Sequence, residues 1–284
     1  MDGKSDLTIS VVRRLQIPNK LLIIGNGESR SWFKPCHQTI LDKDVVTWGC
    51  NALYRDGTVD NLVAVDYSMQ QEIYESGYWR DNQCWFTYWS ILPSDVADVM
   101  LMGYDIPEIL IHKSSNKTDR CVISGKDPVT LKEKIEIAIQ MNPHLDMKDL
   151  VTKMEKDVGV WITYVDDNDN VKNIEFPIGW STGNTAVHLA CQQEAKEVYL
   201  LGFDLSEYDK PLNNIYKGTD NYLPASTKGF NSANWMNQLK TVFKEFPDTQ
   251  FYWVDWAYDT PPCYNHSNVG YLTKTELCDK LNIL

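Results

Sequence analysis

Three short stretches of this chain carry small, hydroxyl and amide residues in patterns that suit the binding of a phosphate or a sugar. The first is Gly25-Asn26-Gly27-Glu28-Ser29, which directly follows four aliphatic residues, Leu21 to Ile24. A Gly-rich turn between a strand and a helix lets backbone approach a phosphate and aims N–H groups at it. The same residues also make a plain tight turn, which is the commoner use of a short G-x-G. The dinucleotide fingerprint G-x-G-x-x-G is incomplete, because Arg30 stands where its third glycine belongs. The second stretch is Ser181-Thr182-Gly183-Asn184, ahead of the apolar run Ala186, Val187, Leu189, Ala190. Ser181 or Thr182 fits an N-cap there, and a helix start with free N–H groups is a second anion- or base-binding turn. The third is a polar loop, 206–228, with Tyr208, Lys210, Tyr216, Lys217 and Tyr222. A loop of that length in a compact domain serves as a lid or is disordered.

Two further tips look like the start of metal or base chemistry. The run Asp166-Asp167-Asn168-Asp169-Asn170 resembles the opening of a calcium loop, but Val171 occupies the position that needs glycine, so it reads as a solvated hairpin turn. His188 falls on the apolar side of its helix and reads as a core histidine. No metal site is expected.

The elements that must position these residues form an alternating α/β series. Leu21 to Ile24 has no polar alternation and reads as a strand buried on both faces of a parallel sheet. Asp44 to Asn51 and Asn61 to Asp66 follow as strands, which places Asn51 and Asp66 beside the Gly-Asn-Gly turn on one sheet edge. In open α/β sheets that edge binds ligands. A helix is expected over Tyr67 to Tyr78 and a buried strand over Cys84 to Tyr88. In the middle region, Ile106 to Ile111 and Arg120 to Ser124 read as strands, and Pro128 to Met141 and Asp146 to Lys156 as helices. Val160 to Val165 and Val171 to Phe176 read as a β-hairpin. Lys196 to Asp204 is a strand ending in Gly-x-Asp, Ala233 to Phe246 an amphipathic helix and Gln250 to Val254 a strand. An irregular tail and a short helix from Thr273 close the chain. The expected fold is α/β: a Rossmann-like, mostly parallel sheet flanked by helices, with an inserted α+β segment containing the hairpin. It is one domain over 1–284, with 100–178 as insertion or lid and 206–228 as lid loop.

Composition narrows the function classes. A formal net charge of -12 argues against a nucleic-acid binder, which needs a basic face. It leaves room for a local nucleotide pocket. Ten Trp and fifteen Tyr suit stacking on sugars or bases, and also ordinary packing. No apolar run is long enough to span a bilayer, and Met1 to Lys20 lacks a signal-peptide core. Seven cysteines with no C-x-x-C pair fit reduced thiols, so the expected location is cytoplasmic.

Ile23-Ile24-Gly25-Asn26-Gly27-Glu28-Ser29, Cys50-Asn51, Ser181-Thr182-Gly183 and Val198 to Asp204 occur in an order that resembles the bacterial sialyltransferases of glycosyltransferase family 42. More distantly, they are similar to the motility-accessory-factor domains, which share a Rossmann-like core. The resemblance covers about 20–66 and 180–255, and suggests a bacterial or phage source. It implies a nucleotide-sugar donor, CMP-sugar favoured, as co-substrate without a cofactor or metal, a glycan acceptor, and allows an oligomer. It places Gly25, Asn26, Gly27, Glu28, Ser29, Asn51, Asp66, Ser181, Thr182, Gly183 and Asn184 around the nucleotide. Tyr208, Tyr216 and Tyr222 would then assist the leaving group. The family's general-base histidine has no counterpart, since the similar stretch reads Asn221-Tyr222-Leu223-Pro224-Ala225-Ser226. Asn cannot take a proton at neutral pH, so His266, or Asp204 or Asp220, is the substitute base. Two other readings stay open. One is an ATP-dependent diphosphotransferase of the motility-accessory-factor type, using Glu28, Asp66 and Asp204. The other is a nucleotide-binding or interaction protein without turnover.

Overall fold

The computed structural model describes residues 19–35, 44–87, 89–93, 120–125, 160–165, 170–175, 177–178, 181–205, 210–229, 231–255 and 266–283. Its centre is β1 (Lys20–Ile24), in which Leu21 to Ile24 are all fully buried. On one side of β1 lie β2 (Val45–Cys50), β3 (Asn61–Ala64), β4 (Gln83–Thr87) and β8 (Val171–Ile174). On the other lie β9 (Glu197–Leu201), β10 (Gln250–Val254) and β11 (Val269–Leu272). The eight-stranded order is β11-β10-β9-β1-β2-β3-β4-β8, and every pairing is parallel. This is an α/β Rossmann-like sheet.

Side chains leave β1 on alternate faces, and each face is covered by helices, so a continuous apolar run is what the position demands. Leu21 and Ile23 join a cluster with α2 (Thr182–Cys191) and α3 (Ala233–Glu245). Leu22 and Ile24 join the opposite cluster with Met69 and Ile73 of α1 (Tyr67–Glu75) and Leu277 and Leu281 of α4 (Lys274–Leu281). Local chemistry sets the helix ends. The Ser181 Oγ accepts from the Asn184 N–H at the start of α2, and Thr273 with Glu276 forms a capping box on α4. α1 stops short of Tyr78 because Gly77 takes the left-handed conformation (φ 75°) after the Ser76 cap.

Several expectations change. Val160 to Val165 (β7) does not pair with the strand after it. β7 pairs antiparallel with β6 (Arg120–Gly125), which pairs antiparallel with β5 (Ser90–Pro93) in a separate three-stranded sheet. β8 instead runs parallel to β4 at the edge of the main sheet, so the main sheet resumes at Val171, inside the 100–178 segment. Alternating apolar residues report exposure, not partner, which is why the hairpin and the split pairing look alike in sequence. The turn after β1 leads only into a single 3-10 turn, Glu28–Arg30. The tail contains β11, a half-buried edge strand whose Val-Gly-Tyr-Leu composition gives a weak signal. The readings at Ile106 to Ile111, Pro128 to Met141, Asp146 to Lys156 and Tyr208 lie outside the described residues. Among the described residues, Cys50, Cys84, Cys191 and Cys278 are free thiols, and no helix is long and apolar enough to cross a membrane.

Candidate functional site

The chain leaves β1 in one direction through β2 to β4 and returns to its other side at β9. At such a reversal the loops diverge and open a crevice at the C-terminal ends of the strands. A cleft of about 980 Å³ lies there, lined from β1 by Gly25 to Gly27, from β2 by Cys50 and Asn51, from β3 by Val65 and Asp66, and from β9 by Gly202 to Leu205. Ser181 to Asn184 at the start of α2 form a further wall, with Trp235 of α3. Leu212 to Asn214 and Asn221 to Leu223 close the remaining side. Thus Gly25, Asn26, Gly27, Asn51, Asp66, Ser181, Thr182, Gly183, Asn184, Asp204 and Tyr222 meet in one cleft.

Most backbone donors of the Gly-Asn-Gly turn are committed within the protein. The Gly25 N–H donates to Leu201 O (2.8 Å) and the Gly27 N–H to Gly202 O (2.9 Å). The Glu28 N–H goes to Asn213 Oδ1 (2.8 Å) and the Ser29 N–H to Asp204 Oδ2 (2.7 Å). These donors are spent within the protein, and the Asp204 carboxylate sits where an anion would have to bind. The glycines answer a different need. A Cβ on Gly25 would stand 2.5 Å from Gly202 O, and one on Gly27 2.5 Å from the Asp204 carboxyl carbon. The turn is a seam between β1 and β9.

Beneath the seam is Arg30, 1 % exposed, whose role no local motif announces. Its Nε–H donates to Gly25 O (2.6 Å), and one terminal N–H to the Tyr216 hydroxyl (2.8 Å). The guanidinium also pairs with Asp56 (3.3 Å), to which the Tyr216 hydroxyl donates (2.6 Å). Tyr216 is therefore a buried anchor, outside the cleft. Arg55 and Glu72 pin the next part of the loop: Arg55 donates to Thr219 Oγ1 (2.8 Å) and Asp220 O (3.1 Å), and Asn221 Nδ2 donates to Glu72 (2.6 Å). Lys217 pairs with Glu28 (2.6 Å), and the Ile215 N–H donates to Asn26 O (2.9 Å). Residues 210–229 are docked as a wall. Nothing in the composition of Asn213, Asn214 or Asp56 singles them out in sequence, because each acts on a partner far along the chain.

Several polar groups of the cleft lining lack partners among the described residues. Asn26 Oδ1, Asn51 Oδ1 and Thr182 Oγ1 are buried atoms with no hydrogen bond. Thr182 is 5 % exposed. Buried polar atoms in proteins are normally satisfied, so unmatched ones on residues that line a cleft point to a partner from outside the described residues, such as a ligand seated against that wall. Asn51, Leu205 and Asn221 also hold positive φ (52°, 58° and 62°), and such conformations gather at ligand sites. The Tyr222 hydroxyl accepts from Asn26 Nδ2 (3.1 Å) and the Ala52 N–H (3.3 Å), which leaves its own proton to donate. Burial pushes its pKa well up, so it stays a donor at neutral pH. Thr182 and Gly183, in the first turn of α2, offer N–H groups without intrahelical acceptors.

Of the carboxylates, Asp204 is 3 % exposed and accepts from both the N–H and the hydroxyl of Ser29. Burial raises its pKa, and the Ser29 bonds oppose that rise. Asp66 lies open to the cleft solvent yet is crowded by protein on its flanks, and this desolvation raises its pKa. Its carboxylate makes no hydrogen bond among the described residues. Glu28 and Ser29 face the Lys217 and Asp204 contacts behind the cleft wall. His266 precedes β11, at the N-terminal edge of the sheet, where it packs edge-on against Phe243 (5.8 Å). That is the edge opposite the cleft, so His266 cannot reach a ligand there. His188 pairs with Glu245 (3.2 Å), also away from the cleft lining.

Comparisons with protein-family models, curated proteins and solved structures find no match for this chain.

Proposed function

We propose that the protein is a nucleotide-sugar-dependent glycosyltransferase whose donor lies in the cleft between β1 and β9. The observation that carries this reading is the convergence of Asn26 Oδ1, Asn51 Oδ1 and Thr182 Oγ1, all unmatched, beside the start of α2. In it, the first-turn N–H groups of α2 and the Tyr222 hydroxyl hold the donor phosphate, and the two Asn oxygens accept from base or sugar hydroxyls. No Lys, Arg or His is among the described residues that line the cleft, so in this reading N–H and hydroxyl donors hold the donor phosphate. The acceptor hydroxyl oxygen attacks the anomeric carbon, the bond from that carbon to the phosphate oxygen breaks, and the nucleotide leaves. The acceptor's proton passes to Asp66, the one cleft carboxylate not already hydrogen-bonded among the described residues. Desolvation raises its pKa, which makes it a better proton acceptor than a fully solvated carboxylate.

The diphosphotransferase reading loses its support, since Glu28 is paired with Lys217 and Asp204 with Ser29. Thermal-shift titration with CMP, UDP, GDP, ADP and ATP, with and without magnesium, tests the proposal, because a ligand of the folded state raises its melting temperature. Stabilisation by a pyrimidine nucleotide without metal is the expected result. Absence of any shift would remove it, and ATP acting only with magnesium would restore the diphosphotransferase.

A further inference from the structure

We infer that the donor's sugar carries no carboxylate of its own, and that Asp66 is the residue that turns acidic sugars away. This rests on the nucleotide-sugar reading of the cleft, and it departs from the sialyl donor that the family resemblance implies.

The argument begins with charge. Cations stand close behind the cleft, but each is matched: Arg30 with Asp56, Arg55 with Glu72, Lys217 with Glu28. None of the three lines it. The lining contributes two carboxylates, Asp66 and Asp204, and no basic side chain among the described residues. Asp204 is turned toward Ser29. Asp66 has no such partner, so its charge faces the ligand.

The unmatched atoms make an independent case. Asn26 Oδ1 and Asn51 Oδ1 can only accept. They are satisfied by hydroxyl or amide donors, which an uncharged sugar has in plenty and a carboxylate lacks. Thr182, 5 % exposed, carries the one unmatched group of the three that can also donate, and it lies at the start of α2, where the phosphate competes for it. An acidic sugar would therefore add a further negative charge to a site that has one helix terminus and, among the described residues, no basic side chain to receive it. Like charges brought together in a shielded cleft are strongly disfavoured.

The test uses ligand pairs that differ in the carboxylate alone, titrated calorimetrically into the full chain. The probes are UDP-glucose against UDP-glucuronate, and CMP-N-acetylneuraminate against its carboxyl methyl ester. In whichever nucleotide series binds, the uncharged member should bind roughly tenfold or more tightly than the acidic one. Asp66→Asn, and separately Asp66→Ser, should narrow that gap by strengthening the acidic member selectively. Because the Asp66 carboxylate makes no hydrogen bond among the described residues, neither substitution removes a contact seen there, and circular dichroism checks the fold. Equal or tighter binding of the acidic member overturns the inference and leaves the glycosyltransferase reading in place. A gap that survives both substitutions removes Asp66 as its cause and also overturns it. If CMP, UDP and all four sugar nucleotides fail to bind, both fall together.

Discussion

Thr182 holds a hydroxyl that the folded protein leaves unmatched, and this makes its replacement informative. Removing an unsatisfied buried hydroxyl while keeping its shape is nearly neutral or stabilising for the fold. Thr182→Val should therefore keep or raise the melting temperature of the free protein, yet lower the ligand-induced shift. Its loss of affinity should be about tenfold, the size of one hydrogen bond to a charged group. Equal shifts in variant and wild type would take Thr182 out of the site. Asp66 gives a second test, with a sign fixed by linkage. Its pKa is raised in the folded state above the ordinary 3.8, so the native protein holds the proton more tightly than the unfolded chain. Its contribution to stability grows as pH falls through the raised value and is lost as pH rises through it. Asp66→Asn should melt higher than wild type at pH 7, with the difference vanishing as pH approaches 4. The effect is modest because the side chain is open to water. A group kept at a site despite a stability cost is characteristic of function.

At the scale of elements, the seam between β1 and β9 organises the cleft. Gly25 and Gly202 bring two backbones into contact, so Gly25→Ala should cost about 1–3 kcal/mol through overpacking, measured by urea unfolding. Arg30 ties that seam to the 210–229 wall. Arg30→Met leaves the Asp56 carboxylate with the Tyr216 hydroxyl but without its cation, and should cost about 3 kcal/mol, the low end of the range for breaking a buried pair because Asp56 is part-exposed. The same variant should become more sensitive to limited proteolysis within 210–229. Unchanged cleavage there would show that Arg55 and Glu72 suffice to hold the wall. Most elements were legible from apolar runs and caps, as at Leu21 to Ile24, Ser181 and Thr273. The partner of a strand was not: Val160 to Val165 and Val171 to Ile174 have similar patterns but belong to different sheets. Their difference lies in what each meets, and a periodicity contains no record of that.

For the molecule as a whole, the sheet predicts a gradient of local stability. β9, β1 and β2 are central and almost wholly buried, whereas β11 is a half-buried edge. Amide hydrogen exchange should be slowest in the central three and at least tenfold faster in β11. Uniform protection across the sheet would contradict that order. The sequence by itself determined the α/β class, the two-sided burial of β1 and the edge at which Asn51 and Asp66 would lie beside the Gly-Asn-Gly turn. Those follow from apolar continuity, capping residues and strand order, which are local or nearly so. Only the tertiary structure decided what the Gly-Asn-Gly turn does, because the groups that consume its donors, Leu201 O, Gly202 O and Asp204, come from a strand exit some 175 residues later. It likewise decided that Tyr216 anchors while Tyr222 faces the cleft, and that His266 lies at the far edge. In each case the residue type was visible, but its role depends on which distant backbone or charge it meets after folding.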